Sequence, residues 1–211
     1  MPEKAAAGTE TTRDASGNDI KSVEIPIGGG IILAPYKEEN KIEAAAMGET
    51  IKKVNLPPDY NKDNYLGLIK QDGGFSDSRD ADDATEFFQS GYSMPGDPSL
   101  RTAFTVAENN RHTRRIALGE PDANGVYMVD DIIQAEKWCA YQEEALKGGR
   151  IRRRAGVVQV VGNEPVQSER GTVKGTALTA EWVPDPLYDG HRYQESIYDP
   201  TLTPKTPGKN D

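Results

Sequence analysis

The side chains best suited to nucleophilic catalysis or zinc binding are one cysteine, Cys139, and two histidines, His112 and His191. Neither histidine belongs to a His-Glu-x-x-His pattern, which argues against a zinc site. His112 lies among arginines, which indicates a surface position, and His191 lies in an Asp-Gly-His-Arg turn. Cys139 belongs to the run Trp-Cys-Ala-Tyr, which favours a small buried side chain over a nucleophile. We therefore predict that the protein is not an enzyme and uses no metal or cofactor.

Two glycine clusters, Gly28–Gly30 and Gly73-Gly74, raise the question of a phosphate-binding loop. A Walker loop requires a lysine after its last glycine, and a dinucleotide-binding loop requires its own fixed glycine spacing. Neither cluster has these features. We therefore interpret both clusters as flexible turns.

Four aspartates lie close together in one polar segment: Asp77, Asp80, Asp82 and Asp83. Closely spaced carboxylates can bind calcium, but the calcium-loop pattern and its closing Glu are absent. We interpret the segment as a solvated connector between two strands.

The densest basic run contains Arg150, Arg152, Arg153 and Arg154. If this run is a strand, Arg150, Arg152 and Arg154 share one face and Arg153 lies on the other. The run could bind nucleic acid, but no aromatic residues interleave with it to stack on bases. We favour pairing with acids of a neighbouring copy, which would fix the register between subunits. An isolated solvated face is the remaining alternative.

The charge of the chain is concentrated in its first half. The 211 residues have a net charge of −9, and residues 1–100 hold 18 acids and 10 bases, a net charge of −8. An acidic chain is poorly suited to gripping DNA, because binding requires phosphates to be neutralised.

The single cysteine excludes an intrachain disulfide and indicates a reducing environment. No apolar run has the length of a membrane span or the position of a signal peptide.

The length suits one domain with flanking segments. We predict an N-terminal arm or long loop region at 1–60, a β core at 61–184 and an extended C-terminal arm at 185–211. The predicted fold is mainly β: an antiparallel β-sandwich or open barrel with one flanking α-helix.

Alternation of apolar and polar residues predicts most of the strands. An edge strand is expected at 20–32, because Pro26 removes a backbone donor. Further strands are predicted at 65–70, 100–107, 125–130, 150–161 and 172–183. Residues 136–145 are ambiguous between helix and strand, and their aromatic content favours strand.

Two helices are predicted from local sequence. Asn109 or Asn110 can cap a helix that runs to Leu118 and is ended by Gly119. A second helix is expected at 42–51, around Ala44-Ala45-Ala46.

Between Tyr65 and Leu118 the run Tyr65-Leu-Gly-Leu-Ile with Asp72-Gly73 is followed by Leu100-Arg-Thr-Ala-Phe-Thr-Val-Ala-Glu-Asn-Asn110. This order of elements resembles the major tail proteins of siphophages, which build tail tubes. Tyr65-Leu-Gly-Leu-Ile, followed by Asp72-Gly73, is similar to the opening hairpin of that family. Leu100-Arg-Thr-Ala-Phe-Thr-Val-Ala-Glu-Asn-Asn110 is similar to its strand that enters a helix. The last two predicted strands also resemble family strands, so the resemblance covers roughly residues 60–185.

The resemblance implies a structural subunit of a non-contractile bacteriophage tail. In that family six copies join into a ring lined by a continuous inner β-barrel. The rings stack around a tape measure protein, and the tube conducts DNA from the capsid into the host. Further implied partners are the tail terminator and the distal tail or baseplate proteins. The implied location is the virion tail, assembled in the host cytoplasm, with no membrane partner.

Within such a tube both charged segments become candidate assembly residues. Asp77, Asp80, Asp82 and Asp83 are candidate lumen or ring-contact acids, since an acidic lumen would let DNA slide without specific binding. The arginine run at 150–154 is a candidate contact between subunits.

Two alternatives remain open. The chain could be a β-sandwich binding module or adhesin, which a permanently monomeric protein would favour. It could also be the inner-tube subunit of a contractile injection system, which shares the core but works inside a sheath.

Overall fold

The structure, a computed structural model, describes residues 13–81, 83–89, 91–129 and 136–202. Its strands, in chain order, are β1 (Pro26–Pro35), β2 (Ser76–Ala81), β3 (Thr85–Glu86), β4 (Ser93–Met94), β5 (Pro98–Val106), β6 (Lys137–Leu146), β7 (Ile151–Pro165), β8 (Thr176–Val183) and β9 (Tyr193–Tyr198). The α-helix is α1 (Arg111–Leu118), and short 3-10 helices lie at Ile20–Ser22, Glu38–Asn40, Ala44–Met47 and Pro186–Tyr188. The described part of the chain is therefore mainly β with one flanking α-helix, as predicted.

Seven strands form one antiparallel sheet in the order β1-β6-β7-β8-β5-β2, with β9 paired to β7. The longest strand, β7, organises this sheet because three strands pair with it. One edge of β7 pairs with β6. The other edge pairs with β9 over Ile151–Gly156 and with β8 from Val157 onward. The hairpin of β3 and β4 forms a separate two-stranded sheet.

The segment between β1 and β2 connects the two ends of the sheet. Tyr65 makes a single antiparallel bridge to Ile32 of β1, and Ile69 makes one to Val106 of β5. Gly67 lies between them at a φ of +96°, a left-handed conformation that favours glycine. The strand predicted at 65–70 is thus present as two single bridges. The sheet folds over on itself as in a β-sandwich. In the described residues, the two bridges do not continue into a ladder that would close the sheet into a barrel.

Alternating residues of the central strands supply two hydrophobic clusters on opposite faces of the sheet. The first cluster lies beneath α1, and its members include Leu33, Leu66, Val106, Trp138, Val158 and Trp182. The second cluster lies beneath the segment that follows β1, and its members include Ile42, Met47, Val54, Cys139, Val157 and Tyr188. Because β6 and β7 contribute to both clusters, they form the buried centre of the fold. Cys139 is buried, as expected for a small core residue.

The ends of α1 match their prediction. The Asn110 side chain accepts a hydrogen bond from the Thr113 backbone nitrogen at 2.8 Å. Such a cap contributes about 1 kcal/mol. Gly119 follows the last turn with a φ of 90° and donates its backbone N–H to the Arg115 carbonyl oxygen. The capped helix covers the first cluster with Ile116.

The predicted surface position of His112 is wrong. His112 is only 7% exposed, and its Nε2 lies 2.9 Å from the Leu33 carbonyl oxygen. Its ring also packs edge-on against Trp138. The neighbouring arginines indicated a surface position, but the helical period turns His112 towards the sheet.

Three other predicted elements differ from the structure. Residues 42–51 contain a 3-10 helix at Ala44–Met47 instead of an α-helix. Residues 125–129 are not a strand, and residue 130 lies outside the described residues. The polar segment interpreted as a connector contains strand β2, whose backbone pairs with β5.

The strand at 136–145 is confirmed, since β6 occupies it. The strands predicted at 100–107, 150–161 and 172–183 are present as β5, β7 and β8 with shifted ends.

The flanking segments pack on the same sheet as the central residues. β1 pairs with β6, and the residues after it cover the second cluster. In the C-terminal segment, Tyr188 joins that cluster and β9 pairs with β7. The division at residues 60 and 184 stays a prediction about domain organisation.

Candidate functional site

The predicted arginines lie at the start of β7 and face both sides of the sheet. Arg152 and Arg154 lie on the face of the first cluster, because they alternate with Val158. Arg153 lies on the face of the second cluster. Arg150 directly precedes the strand. The two faces give these side chains different partners.

Arg154 joins three strands through two ion pairs. Its side chain is 8% exposed, its Nη1 donates to Asp77 Oδ2 on β2 at 2.6 Å, and its Nε donates to Glu195 on β9 at 2.6 Å. Burial disfavours the charged guanidinium, but hydrogen bonds to these carboxylates outweigh burial and raise the pKa of Arg154. Arg154 therefore stays charged and ties β2 and β9 to β7.

Asp77 extends this network into the hydrophobic core. Its Oδ1 accepts a hydrogen bond from the Thr102 hydroxyl at 2.7 Å. The Thr102 oxygen in turn accepts the indole N–H of Trp182 at 2.9 Å. Thr102 and Trp182 are buried, so the hydroxyl satisfies an N–H that water cannot reach. The chain of contacts crosses β2, β5 and β8.

Arg150 and Arg152 hold a carboxylate from the N-terminal segment. Each donates from Nη2 to Glu24, which precedes β1. Arg152 also lies 3.7 Å from Glu144 and 3.9 Å from Glu195. Burial raises the pKa of Glu144, while the charges of Arg152 and Arg154 oppose this rise. We call the following residues the charged cluster: Glu24, Asp77, Glu144, Arg150, Arg152, Arg154 and Glu195.

Arg153 serves the opposite face of β7. Its side chain is 1% exposed, and its Nε donates to Glu143 at 2.9 Å. Its two terminal nitrogens donate to the backbone carbonyls of Ile51 and Lys52. Arg153 therefore fastens the segment that covers the second cluster to the centre of the sheet.

The arginine run thus has intramolecular partners that the sequence did not suggest. Each of Arg150, Arg152, Arg153 and Arg154 pairs with an acid of the same chain. Because Arg153 and Arg154 are buried in these pairs, the geometry favours an internal role for both over a contact between subunits. Arg150 and Arg152 keep partial exposure at the end of the cluster.

The predicted lumen or ring-contact acids fall into different settings. Asp77 belongs to the charged cluster, whereas Asp80 on β2 and Asp83 just after it are exposed. Asp82 lies outside the described residues. In the described sheet β2 pairs with β5 alone, so its second edge is open, and all its residues are exposed. Asp80 and Asp83 therefore lie in solvent beside an open strand edge.

An apolar hairpin, which sequence reasoning did not single out as a surface, follows this edge. The loop between β3 and β4 and the strands themselves expose Phe87, Phe88, Tyr92 and Met94, with Phe88 fully accessible. Among the described strands, β3 and β4 pair only with each other. Single exposed apolar residues are common, but four on one small hairpin indicate a contact surface. The sequence feature that could have indicated this surface is the pair Phe87-Phe88, which lies between polar segments.

The described part of the chain shows no group of three or more His, Cys, Asp or Glu side chains placed to hold a metal ion. Its fully buried acid, Asp185, has a structural role. Burial raises the pKa of Asp185, but hydrogen bonds from Lys137, the Leu187 backbone and Tyr36 outweigh burial and lower it. The ionised carboxylate caps the 3-10 helix at Pro186–Tyr188 and holds Lys137 of β6 at 2.7 Å.

None of the described helices is long and apolar enough to cross a membrane. Neither a protein-family model nor a curated protein matches this sequence. The features that bear on function are the sequence pattern, the charged cluster, the open β2 edge and the hairpin.

Proposed function

We propose that this chain is a structural subunit of a bacteriophage tail tube that assembles with copies of itself into stacked rings. The observation that carries the proposal is the open edge of β2 beside the apolar hairpin, on a fold whose two clusters are otherwise covered. Open strand edges and exposed apolar surfaces are where β proteins associate. A ring in which β2 pairs with the next copy would cover this edge.

The order of elements supports the same proposal. Strand β5 leads into the capped helix α1, and β7 and β8 follow as an antiparallel pair. This is the order on which the resemblance to siphophage major tail proteins rests. Under this proposal the tape measure protein, the tail terminator and the distal tail or baseplate proteins are partners, and the protein lies in the virion tail.

The exposed acids have a role in this proposal as lumen or ring-contact residues. If Asp80 and Asp83 line the lumen, their charge repels DNA phosphates and lets the DNA slide. Replacing both with Asn is expected to leave tube length normal and to slow DNA ejection, measured as the rate of DNA release from purified virions. An unchanged ejection rate would show that these two residues do not act as lumen acids.

Self-association of the purified protein tests the proposal. Sedimentation velocity over a range of protein concentrations is expected to show rings and larger polymers in place of a single small species. A chain that remains monomeric at every concentration would contradict the proposal and favour the adhesin alternative. Polymers that form only together with a second, sheath-forming protein would favour the contractile inner tube.

A further inference from the structure

The segment before β1, residues 20–25, lies against the sheet at the turn between β6 and β7. Glu24 pairs with Arg150 and Arg152 of the charged cluster. The Ile25 carbonyl oxygen accepts the backbone N–H of Lys147 at 2.8 Å. We call residues 20–25 the strap, because these polar contacts hold it across the turn between β6 and β7.

The apolar side chains of the strap are left in solvent. Ile20, Val23 and Ile25 are all exposed, and Ile27, the second residue of β1, is 69% exposed. Moving such side chains out of water is worth about 25 cal/mol per Å² of apolar surface. The strap therefore has apolar surface that the described residues do not cover.

Gly28–Gly30 join the strap to the buried part of β1. The interpretation of this cluster as a flexible turn is wrong, because all three glycines lie in the strand and pair with β6. Gly28, Gly29 and Gly30 separate Ile27 from Ile31, and the pairing of β1 with β6 shifts register between Pro26 and Gly28. Around Gly28 there is open space, since nothing lies within 4 Å of where a side chain would start. Gly29 and Gly30 pair with β6 and pack closely against Glu143 and Tyr65. The freedom to redirect the strap therefore lies at Gly28 and at the register shift before it.

We propose that the strap is exchanged between copies of this chain, so that Glu24 of one copy pairs with Arg150 and Arg152 of the next. This inference rests on the proposed function, because it needs an assembled protein. The same contacts can form within a chain or between chains, which is the usual basis of segment exchange. Exchange leaves the ion pairs intact and places the exposed apolar side chains of the strap at a junction between two copies.

A disulfide placed at the strap contact distinguishes the two arrangements. Ile25 and Lys147 share a backbone hydrogen bond next to the β1–β6 ladder, which is a separation that a disulfide can span. We would prepare two single variants, Ile25→Cys and Lys147→Cys, assemble them as a mixture and oxidise the assembled protein. The product is read on a denaturing, non-reducing gel.

Exchange predicts that the mixture yields a covalent dimer containing one chain of each variant. A matched control replaces Lys147→Cys with Val173→Cys, another exposed position, and is expected to yield little of that dimer. A mixture that cross-links no more than this control overturns the proposal. So does a double Ile25→Cys, Lys147→Cys chain that closes a disulfide only within itself.

The unmodified protein separates this result from the proposed function. If it forms rings or tubes while the double variant cross-links only within single chains, exchange is wrong and the tube function stands. If the unmodified protein remains monomeric, the tube function itself fails and exchange fails with it.

Discussion

The attachment of β9 to β7 depends on one glycine. A Cβ atom added to Gly156 would lie 2.5 Å from the Arg192 carbonyl oxygen and 2.9 Å from the Tyr193 Cα. Both neighbours are backbone atoms, so neither can turn aside as the end of a flexible side chain could. Gly156→Ala is therefore expected to push β9 away from β7 or to strain both strands.

The expected loss follows from this contact. Overpacking a closely packed site costs about 1–3 kcal/mol. At a site with free space, Gly→Ala instead stabilises by about 0.4–1 kcal/mol, because it restricts the unfolded chain. Gly28 on β1 is such a site and is the matched control. For a loss of about 2 kcal/mol in a chain of this length, the melting temperature should fall by roughly 4–8 °C.

Thermal and urea denaturation of Gly156→Ala, Gly28→Ala and the unmodified protein measure this difference. Hydrogen exchange should show faster exchange of the β9 amides in Gly156→Ala alone. If Gly156→Ala is as stable as Gly28→Ala and β9 stays equally protected, the docking of the C-terminal segment described here is wrong.

Three further predictions concern the core, the helix and the hairpin. Thr102→Val leaves the buried Trp182 N–H without its acceptor and should lower the free energy of unfolding in urea by about 1–3 kcal/mol. Thr102→Ser keeps the hydroxyl and should retain most of this stability. Equal losses in the two variants would contradict the hydrogen-bond network. Burial holds the pKa of His112 below its ordinary value of 6.5, so the unfolded chain binds a proton more readily and stability should fall as the pH drops below 6.5. In His112→Gln, the melting temperature should depend less on pH between about pH 7.5 and pH 5.5. If the pH dependence is the same as in the unmodified protein, His112 does not cause it. Phe87→Ser with Phe88→Ser should leave the melting temperature unchanged, since both side chains are exposed, but should prevent sedimentation as polymers; polymers of normal size would refute a contact role for the hairpin.

Local sequence predicted the elements whose side chains are half buried. In β5, buried Phe104 and Val106 alternate with less buried residues, and this gives a clear strand period. The start and end of α1 followed from Asn110 and Gly119, because capping depends on adjacent residues. An element that is buried on one face has a regular alternation of apolar and polar residues, which is visible in the sequence.

Strand β2 was missed for the opposite reason. All its side chains are exposed, so it has no apolar alternation, and only its backbone bonds to β5 define it. The partners of the arginines could also not be predicted from neighbouring residues in the sequence. Arg154 meets Asp77 and Glu195, which are distant in sequence and are brought together only when β2 and β9 join the sheet. The basic run predicted a charged contact, but the identity of its partners depends on the whole topology.

Electron microscopy of the purified protein in negative stain tests the central proposal most directly. A tail tube subunit predicts rings, or hollow tubes built from stacked rings, with a continuous central channel. Particles that remain single chains at every concentration, with no rings or tubes, would contradict the account.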